Sequence, residues 1–254
     1  MKPLPRPEKQ ILSPVGCAQA EQVHVRIVAL LRELLDDPPQ SCLSDDFRAT
    51  YARVCSLYDA YQSAVLRHHS KKPTCVNGCT ACCGHWVEDV YSFEAEMVAA
   101  HVRTRHPLRV AEIVEKCGED VRLIRQLDRR IAVRLAEEAW QLQRTGEEID
   151  PVDLLLAGFY QYRRPCPLLD GNGRCSIYPV RPLTCRIYLS FSAPSHCDPD
   201  YINDADVPTY LLDLEEEASR LLDALHFRYN RFGGDTGLRS LLMKCLSKPL
   251  SDKG

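Results

Sequence analysis

The sequence predicts a mainly α fold, a helical scaffold from which two irregular, cysteine-rich loops are presented. Three observations carry this. Apolar residues recur at spacings of three and four along most of the chain, the period of a helix with one buried face. Two stretches, 71–85 and 163–198, break that rhythm and are dense in turn-forming residues. The same two stretches hold eight of the thirteen cysteines.

Residues 1–16 are rich in proline and charge and are expected to be disordered, ahead of a single helical domain over 17–247 and a flexible tail at 248–254. Within the domain, Val23, Ile27, Leu30 and Leu34 line one helical face, and Phe47, Tyr51, Val54, Tyr58, Tyr61 and Val65 line a second. A long helical insert is expected over 93–145, with Val114, Cys117, Val121, Ile124, Ile131 and Leu135 on its apolar side and Gly146 as its stop. Asp150 before Pro151 reads as a helix start, a capping carboxylate followed by proline at the first helical position. Leu211, Leu214, Ala218, Leu221, Leu225 and Tyr229 mark a further amphipathic helix, and Leu238, Leu241, Leu242 and Cys245 a short last one. Residues 163–201 carry six prolines, which argue against a long helix there; Leu169–Arg174 reads as a tight turn that can join two short strands into a small β-hairpin.

Composition narrows the function. Of 254 residues, 45% are hydrophobic and 26% charged, the balance of an ordinary folded protein. A net charge of −3 and an aromatic content of 7% supply neither the electrostatic footprint nor the stacking platform of a nucleic-acid binder. No stretch approaches the roughly 18–20 apolar residues of a membrane span, and Met1–Pro14 lacks the apolar core of an export signal. The expected location is therefore cytoplasmic, with no membrane partner. In a reducing compartment thirteen cysteines point to metal binding or redox chemistry rather than to disulfides.

The first stretch is Cys75-x3-Cys79-x2-Cys82-Cys83, and the x2 gap lets one turn of backbone aim two sulfurs at one ion. The second adds Cys166, Cys175, Cys185 and Cys197 at intervals suited to separate loops meeting at a point. Small buried hydrophobes are the ordinary fate of free cysteine, and that account serves Cys17, Cys42, Cys55, Cys117 and Cys245. It does not serve four cysteines in a polar turn without an apolar face. The expectation is thus two loops converging on a metal centre ligated by Cys75, Cys79, Cys82, Cys83, Cys166, Cys175, Cys185 and Cys197. Four thiolates on a divalent ion leave a net charge of −2, so cationic groups are expected around the ligands. Arg181 and Arg186 are the candidates, with Arg174 nearby; His85 and His196 are open between ligand and bystander. Iron–sulfur and zinc both suit thiolates, with a slight preference for iron–sulfur because one zinc cannot use eight.

The block Cys75-x3-Cys79-x2-Cys82-Cys83, followed by Cys166-Pro-Leu-Leu-Asp, Gly173-Arg-Cys175-Ser-Ile-Tyr178 and Arg181-Pro182-Leu-Thr-Cys185-Arg186, resembles the YkgJ-like cysteine-cluster family over about 75–190. That family carries a CxxCxxCC signature, is described as zinc- or iron-chelating, and includes relatives of flagellin lysine N-methylase. The resemblance implies metal at the seven matching cysteines, with Cys197 outside the strongest match. The first gap is three residues here where the family has two.

Three other readings stay open beside metal binding. Cys75-x3-Cys79-x2-Cys82 also has the spacing of radical S-adenosylmethionine enzymes, though their βα barrel is not suggested by this helical pattern. The family raises S-adenosylmethionine-dependent protein lysine methylation, for which the glycine-bearing segments Gly171-Asn172-Gly173 and Gly233–Gly237 are weak nucleotide-site candidates. Zinc holding the loops in shape for a protein partner is the third. No nucleophilic triad, H-E-x-x-H or phosphate loop appears, so enzymatic activity is left undecided.

Overall fold

The computed structural model describes residues 10–11, 16–69, 72–75, 78–145, 149–201, 209–234 and 237–247. Among them are eight α-helices and three strands of two or three residues. The mainly α expectation holds.

Helices α1 (Ala18–Asp36) and α2 (Asp45–His68) bury the faces read from their sequence, with Ile27, Leu31, Phe47, Tyr58 and Tyr61 inaccessible to solvent. Ser44 starts α2 by accepting the Phe47 N–H at 3.2 Å, and Asp45 and Asp46 oppose the positive end of its dipole. Helix α7 (Glu216–Tyr229) completes this first core through Ala218, Leu222 and Leu225.

The long insert is not one helix. It breaks into α3 (Ser92–Arg105) and α4 (Val110–Thr145) at His106–Pro107, because proline lacks an N–H and forces the preceding residue out of the helical region. His106 accordingly has φ −135°. Gly146, the expected stop of α4, lies outside the described residues. Helix α5 (Pro151–Tyr160) begins as expected, with Asp150 accepting the Val152 N–H at 2.9 Å. A four-residue helix, α6 (Thr184–Ile187), carries Cys185, and α8 (Leu238–Ser247) ends the described chain.

Leu211 is not helical. It belongs to β3 (Thr209–Leu211), which pairs antiparallel with β2 (Tyr188–Ser190) and parallel with β1 (Gln10–Ile11). Of the N-terminal stretch expected to be disordered, Gln10–Ile11 thus forms a strand; 1–9 and 12–15 lie outside the described residues, as does the tail at 248–254. The Leu169–Arg174 turn closes on a single antiparallel bridge, Leu169 to Cys175, rather than on two strands. A second core joins α3, α4 and α8, and Leu168 and Ile177 of the second cysteine loop are buried within it. That loop is therefore part of the helical core.

Candidate metal centre

Each cysteine loop is held by hydrogen bonds that local sequence makes available. Thr74 ties the first loop to the end of β2: its N–H donates to the Ser190 carbonyl at 2.8 Å and its hydroxyl to the Ser192 carbonyl at 2.5 Å. The Ser190 N–H in turn donates to Cys75 Sγ at 3.3 Å. Gly78 takes φ +87°, a left-handed conformation that a side chain would resist, and lets the chain turn toward Cys79. A tight 3-10 turn over Ala81–Gly84 then presents Cys82 and Cys83.

In the second stretch, Asp170 Oδ1 accepts the N–H groups of Asn172 and Arg174 at 2.9 and 2.8 Å, closing the hairpin between Cys166 and Cys175. Arg109 donates to the Pro167 and Leu169 carbonyls at 3.0 and 2.8 Å, and the His106 ring meets the Ser176 carbonyl at 3.2 Å. The turn that breaks the long insert thus seats the hairpin. Cys185 is fixed through its neighbours: buried Glu94 accepts the Leu183 N–H at 2.8 Å and the Tyr51 hydroxyl at 2.6 Å. Cys197 ends a 3-10 turn over Pro194–Cys197. The Tyr160 hydroxyl donates its one proton to the Cys197 carbonyl and lies 3.2 Å from the Ala81 carbonyl, so it stands between the two cysteine stretches.

All eight cysteines of the two stretches are reduced, with Cys75 and Cys82 exposed and the rest half-buried. Their electrostatic neighbours divide them. Cys75 is raised by burial and then by the charges of Cys79, Cys82 and Cys197, against the opposing Ser190 N–H. Cys197 is raised by burial and by Cys79 and Cys82. Cys185 is raised by burial, then by Cys166, Cys82, Glu94 and Cys175. Cys175 is raised by burial and by Cys166 and Cys82, while Arg181 opposes. The adjacent Cys82 and Cys83 perturb each other most, favouring thiolate at Cys82 and the proton on Cys83; Cys166 and Cys175 push Cys83 the same way. By charge alone, Cys75 and Cys197 feel Cys79 and Cys82, whereas Cys83, Cys175 and Cys185 feel Cys166 and Cys82.

Among the described residues no three or more histidine, cysteine, aspartate or glutamate side chains are arranged to hold an ion as they stand. The sulfurs are neighbours rather than a closed cage. Their chemistry nevertheless fits zinc or iron–sulfur, since the gathered donors are thiols throughout.

Arg181 lies 4.4 Å over the Tyr178 ring, and its charge favours thiolate at Cys82 and Cys175. Arg186 turns the other way: it is 4% exposed at the side chain, pairs with Asp59 of α2 at 2.9 Å, and donates to the Arg181 carbonyl at 3.2 Å. Arg174 is exposed at the hairpin tip. His85 stacks on Tyr160 with ring centroids 3.6 Å apart, and burial with the Arg239 charge lowers it to about 4, so it stays neutral. His196 is half-buried in the turn that carries Cys197. Of the remaining cysteines, Cys17, Cys42, Cys117 and Cys245 are buried and Cys55 is half-buried on α2.

A cleft of about 350 Å³ opens beside the centre, lined by Cys83, Cys197, Tyr160, Arg163 and Asp198 among others. Arg163, at φ 51°, is the one non-glycine residue with positive φ among the described residues, and it grips Asp198 at 2.5 and 2.8 Å. Sequence reasoning missed Tyr160, Arg163, Arg109 and Glu94; only tertiary placement brings them to the cysteines. The glycine segments raised for a nucleotide are turns: Gly171–Gly173 is the hairpin tip, and Gly233, at φ +68°, accepts from Asn230 after α7. Asp235 and Thr236 of the second segment lie outside the described residues. With strand limited to three short segments among the described residues, the order of a βα barrel is not present. Nor is any helix there long and apolar enough to cross a membrane.

Helical scaffold, converging loops and thiol-only donors define the chain as a cysteine-cluster protein. The model of one family, described as "CxxCxxCC: putative zinc- or iron-chelating domain", matches residues 74–206, which include all eight cysteines. The match spans just over half of the chain, and the protein belongs to that family. No curated protein and no solved structure gives a significant match.

Proposed function

We propose that this chain is a polynuclear metal-binding protein whose eight thiols serve two four-cysteine sites, Cys75, Cys79, Cys82 and Cys197 in one and Cys83, Cys166, Cys175 and Cys185 in the other. The observation that supports the reading is how the loops meet: Cys75 Sγ accepts the Ser190 N–H in the segment leading to Cys197, while the Leu169–Cys175 bridge closes the hairpin between Cys166 and Cys175. Four thiolates are what one tetrahedral zinc or one cubane cluster takes, and eight exceed the need of either alone. Zinc bound in this way restrains the loops, whereas an iron–sulfur cluster adds one-electron chemistry.

The surrounding residues supply what an anionic centre needs. Arg181 brings a cation to Cys82 and Cys175, Arg186 steadies Arg181 through its carbonyl, and the Ser190 N–H donates to Cys75. The cleft along Cys83 and Cys197 leaves one side of the centre open to a protein partner or a small molecule.

Purification without oxygen, followed by assay of iron, acid-labile sulfide and zinc with the visible spectrum, tests this. Two zinc ions per chain, or iron and sulfide in equal amounts sufficient for two clusters, is the expected result. Zinc directs the search to a binding partner, and iron with sulfide to electron transfer or cofactor activation. A single metal ion per chain, or none, refutes a two-site centre.

A further inference from the structure

Arg239 stands near the start of α8, beyond the family-matched segment, at a position where the helix turns an otherwise apolar face to the core. It is 3% exposed, yet it carries a full charge. Such a group is retained in a core only when its donors are satisfied and its charge is matched. Asp120 of α4, 1% exposed, supplies the opposite charge at 2.9 Å from Nε, as an ion pair whose geometry is not that of a hydrogen bond. The two terminal nitrogens each donate to one of the cysteine loops. One terminal nitrogen donates to the His85 carbonyl at 2.7 Å and the other to the Arg164 carbonyl at 3.4 Å. His85 is two residues after Cys83, and Arg164 is two residues before Cys166.

The surroundings are shaped to keep the guanidinium there. Its carbon lies 5.0 Å from the centroid of Phe159 and 5.8 Å from that of Trp86. A Cβ on Gly237 would come within 2.8 Å of the Trp86 ring, so glycine is what allows the start of α8 to approach. The Leu238 N–H then donates to the Val87 carbonyl at 2.8 Å, docking the helix on the chain that leaves the first loop. Asp120 also accepts from Arg164 Nε at 2.7 Å, so the approach to Cys166 is tied to the same carboxylate twice.

We infer that Arg239 is a positioning residue for the metal centre, bridging the backbone just after Cys83 and just before Cys166 so that both cysteines keep one register. The inference rests on the metal-binding reading above. It also places a buried positive charge against the backbone two residues from Cys83 and two from Cys166. Lysine at this position keeps the charge but has a single ammonium in place of the planar fork, so it cannot span both carbonyls and Asp120 together.

The test compares full-length wild type, Arg239→Lys and Arg239→Met, purified without oxygen and loaded with metal. The readouts are the thiolate-to-metal charge-transfer spectrum and the rate of metal loss to excess chelator. Partners that orient metal ligands are worth about 10- to 100-fold in affinity, so the Met variant is expected to release metal faster by about that factor, with an altered spectrum. The Lys variant is expected to fall between Met and wild type. Wild-type release and spectrum in both substituted proteins overturn the inference, and so does full rescue by lysine, which would leave charge alone as the cause. Where the Met variant fails to fold, the Lys variant, which keeps the pair with Asp120, carries the comparison. A wild-type chain that takes up no metal overturns the metal reading itself, a failure visible before any variant is compared.

Discussion

Replacing Cys185 or Cys197 by serine separates a divided centre from a single one. Serine is close to cysteine in size, so neither change opens a cavity; what each removes is one soft ligand. Cys185 has Cys166, Cys82 and Cys175 among its charge neighbours, whereas Cys197 has Cys79 and Cys82. Each substitution therefore takes one thiolate from one set of four and leaves the other set whole. A structural thiolate site contributes about 10–16 kcal/mol of apparent binding free energy at neutral pH, too much for three ligands to retain. The metal content of each variant should fall to about half, one site of two being lost. Cys82→Ser, which takes a thiolate from the same set as Cys197, should likewise cost about half. Cys55→Ser should cost none: Cys55 lies on α2 with Arg186, Glu94 and Asp59 as charge neighbours, and burial raises it to about 12. The assay is metal and sulfide per chain after anaerobic purification, with far-UV circular dichroism to confirm that the helices persist. Complete loss in both the Cys185 and Cys197 variants would show one undivided centre, and loss in Cys55→Ser would show that the cysteines are wrongly sorted.

Three further perturbations follow from the packing. Gly237→Ala drives a Cβ to 2.8 Å from the Trp86 ring and should cost about 1–3 kcal/mol in a chemical melt, while Gly171→Ala, with nothing within 4 Å, should be nearly neutral; equal effects would refute the close-approach argument. Burial holds the Glu94 carboxyl above the usual range despite the bonds from Tyr51 and Leu183. A raised folded pKa means that the contribution of Glu94 to stability is full below its unfolded pKa and is lost as pH rises through the folded value, so Glu94→Gln should gain on wild type as pH rises above the ordinary carboxylate range; a difference independent of pH would refute this. Asp198→Asn weakens the grip of Arg163 on the turn that ends at Cys197, so alkylation mapped by mass spectrometry should quicken at Cys197 relative to Cys185, with little change in melting temperature because the pair is exposed.

Helix faces were legible wherever apolar spacing was unbroken. Every residue read as the face of α2, from Phe47 to Val65, is buried, and the Asp150–Pro151 start of α5 caps as its residue types require. The convergence of the cysteine loops was legible too, because polar, turn-rich segments have no other use for so many thiols. What was hidden is of one physical kind. Helix α3 is buried on nearly every side and so has no amphipathic stripe, and nothing in the spacing marks Glu94 and Glu96 as the buried groups that Tyr51, the Leu183 N–H and Arg231 reach. Leu211 matched a helical period by coincidence; its place is set by pairing with Tyr188, a contact between segments far apart in sequence. The break at Pro107 was available from the sequence, since proline rarely continues a helix, and the apolar period read there begins only after it, at Val114.

Much of what shapes the centre lies outside the segment that defines the family. The matched residues run from 74 to 206, yet the turn bearing Cys185 is held from α2 by Asp59 on the Arg186 guanidinium and by Gln62 on the Arg186 carbonyl at 2.9 Å. Tyr51, also on α2, orients the Glu94 carboxylate that anchors Leu183, and Arg239 on α8 meets the carbonyls beside Cys83 and Cys166. The direction of a cysteine sulfur is set by the backbone, and the backbone here is fixed by polar and charged groups on flanking helices, Arg239 and Tyr51 in the dry interior and Asp59 at its exposed edge. Such groups are costly to bury and costly to strand, so each binds the loop it holds to the stability of the helix from which it comes. The eight cysteines therefore belong to the family segment, whereas their geometry belongs to the whole chain.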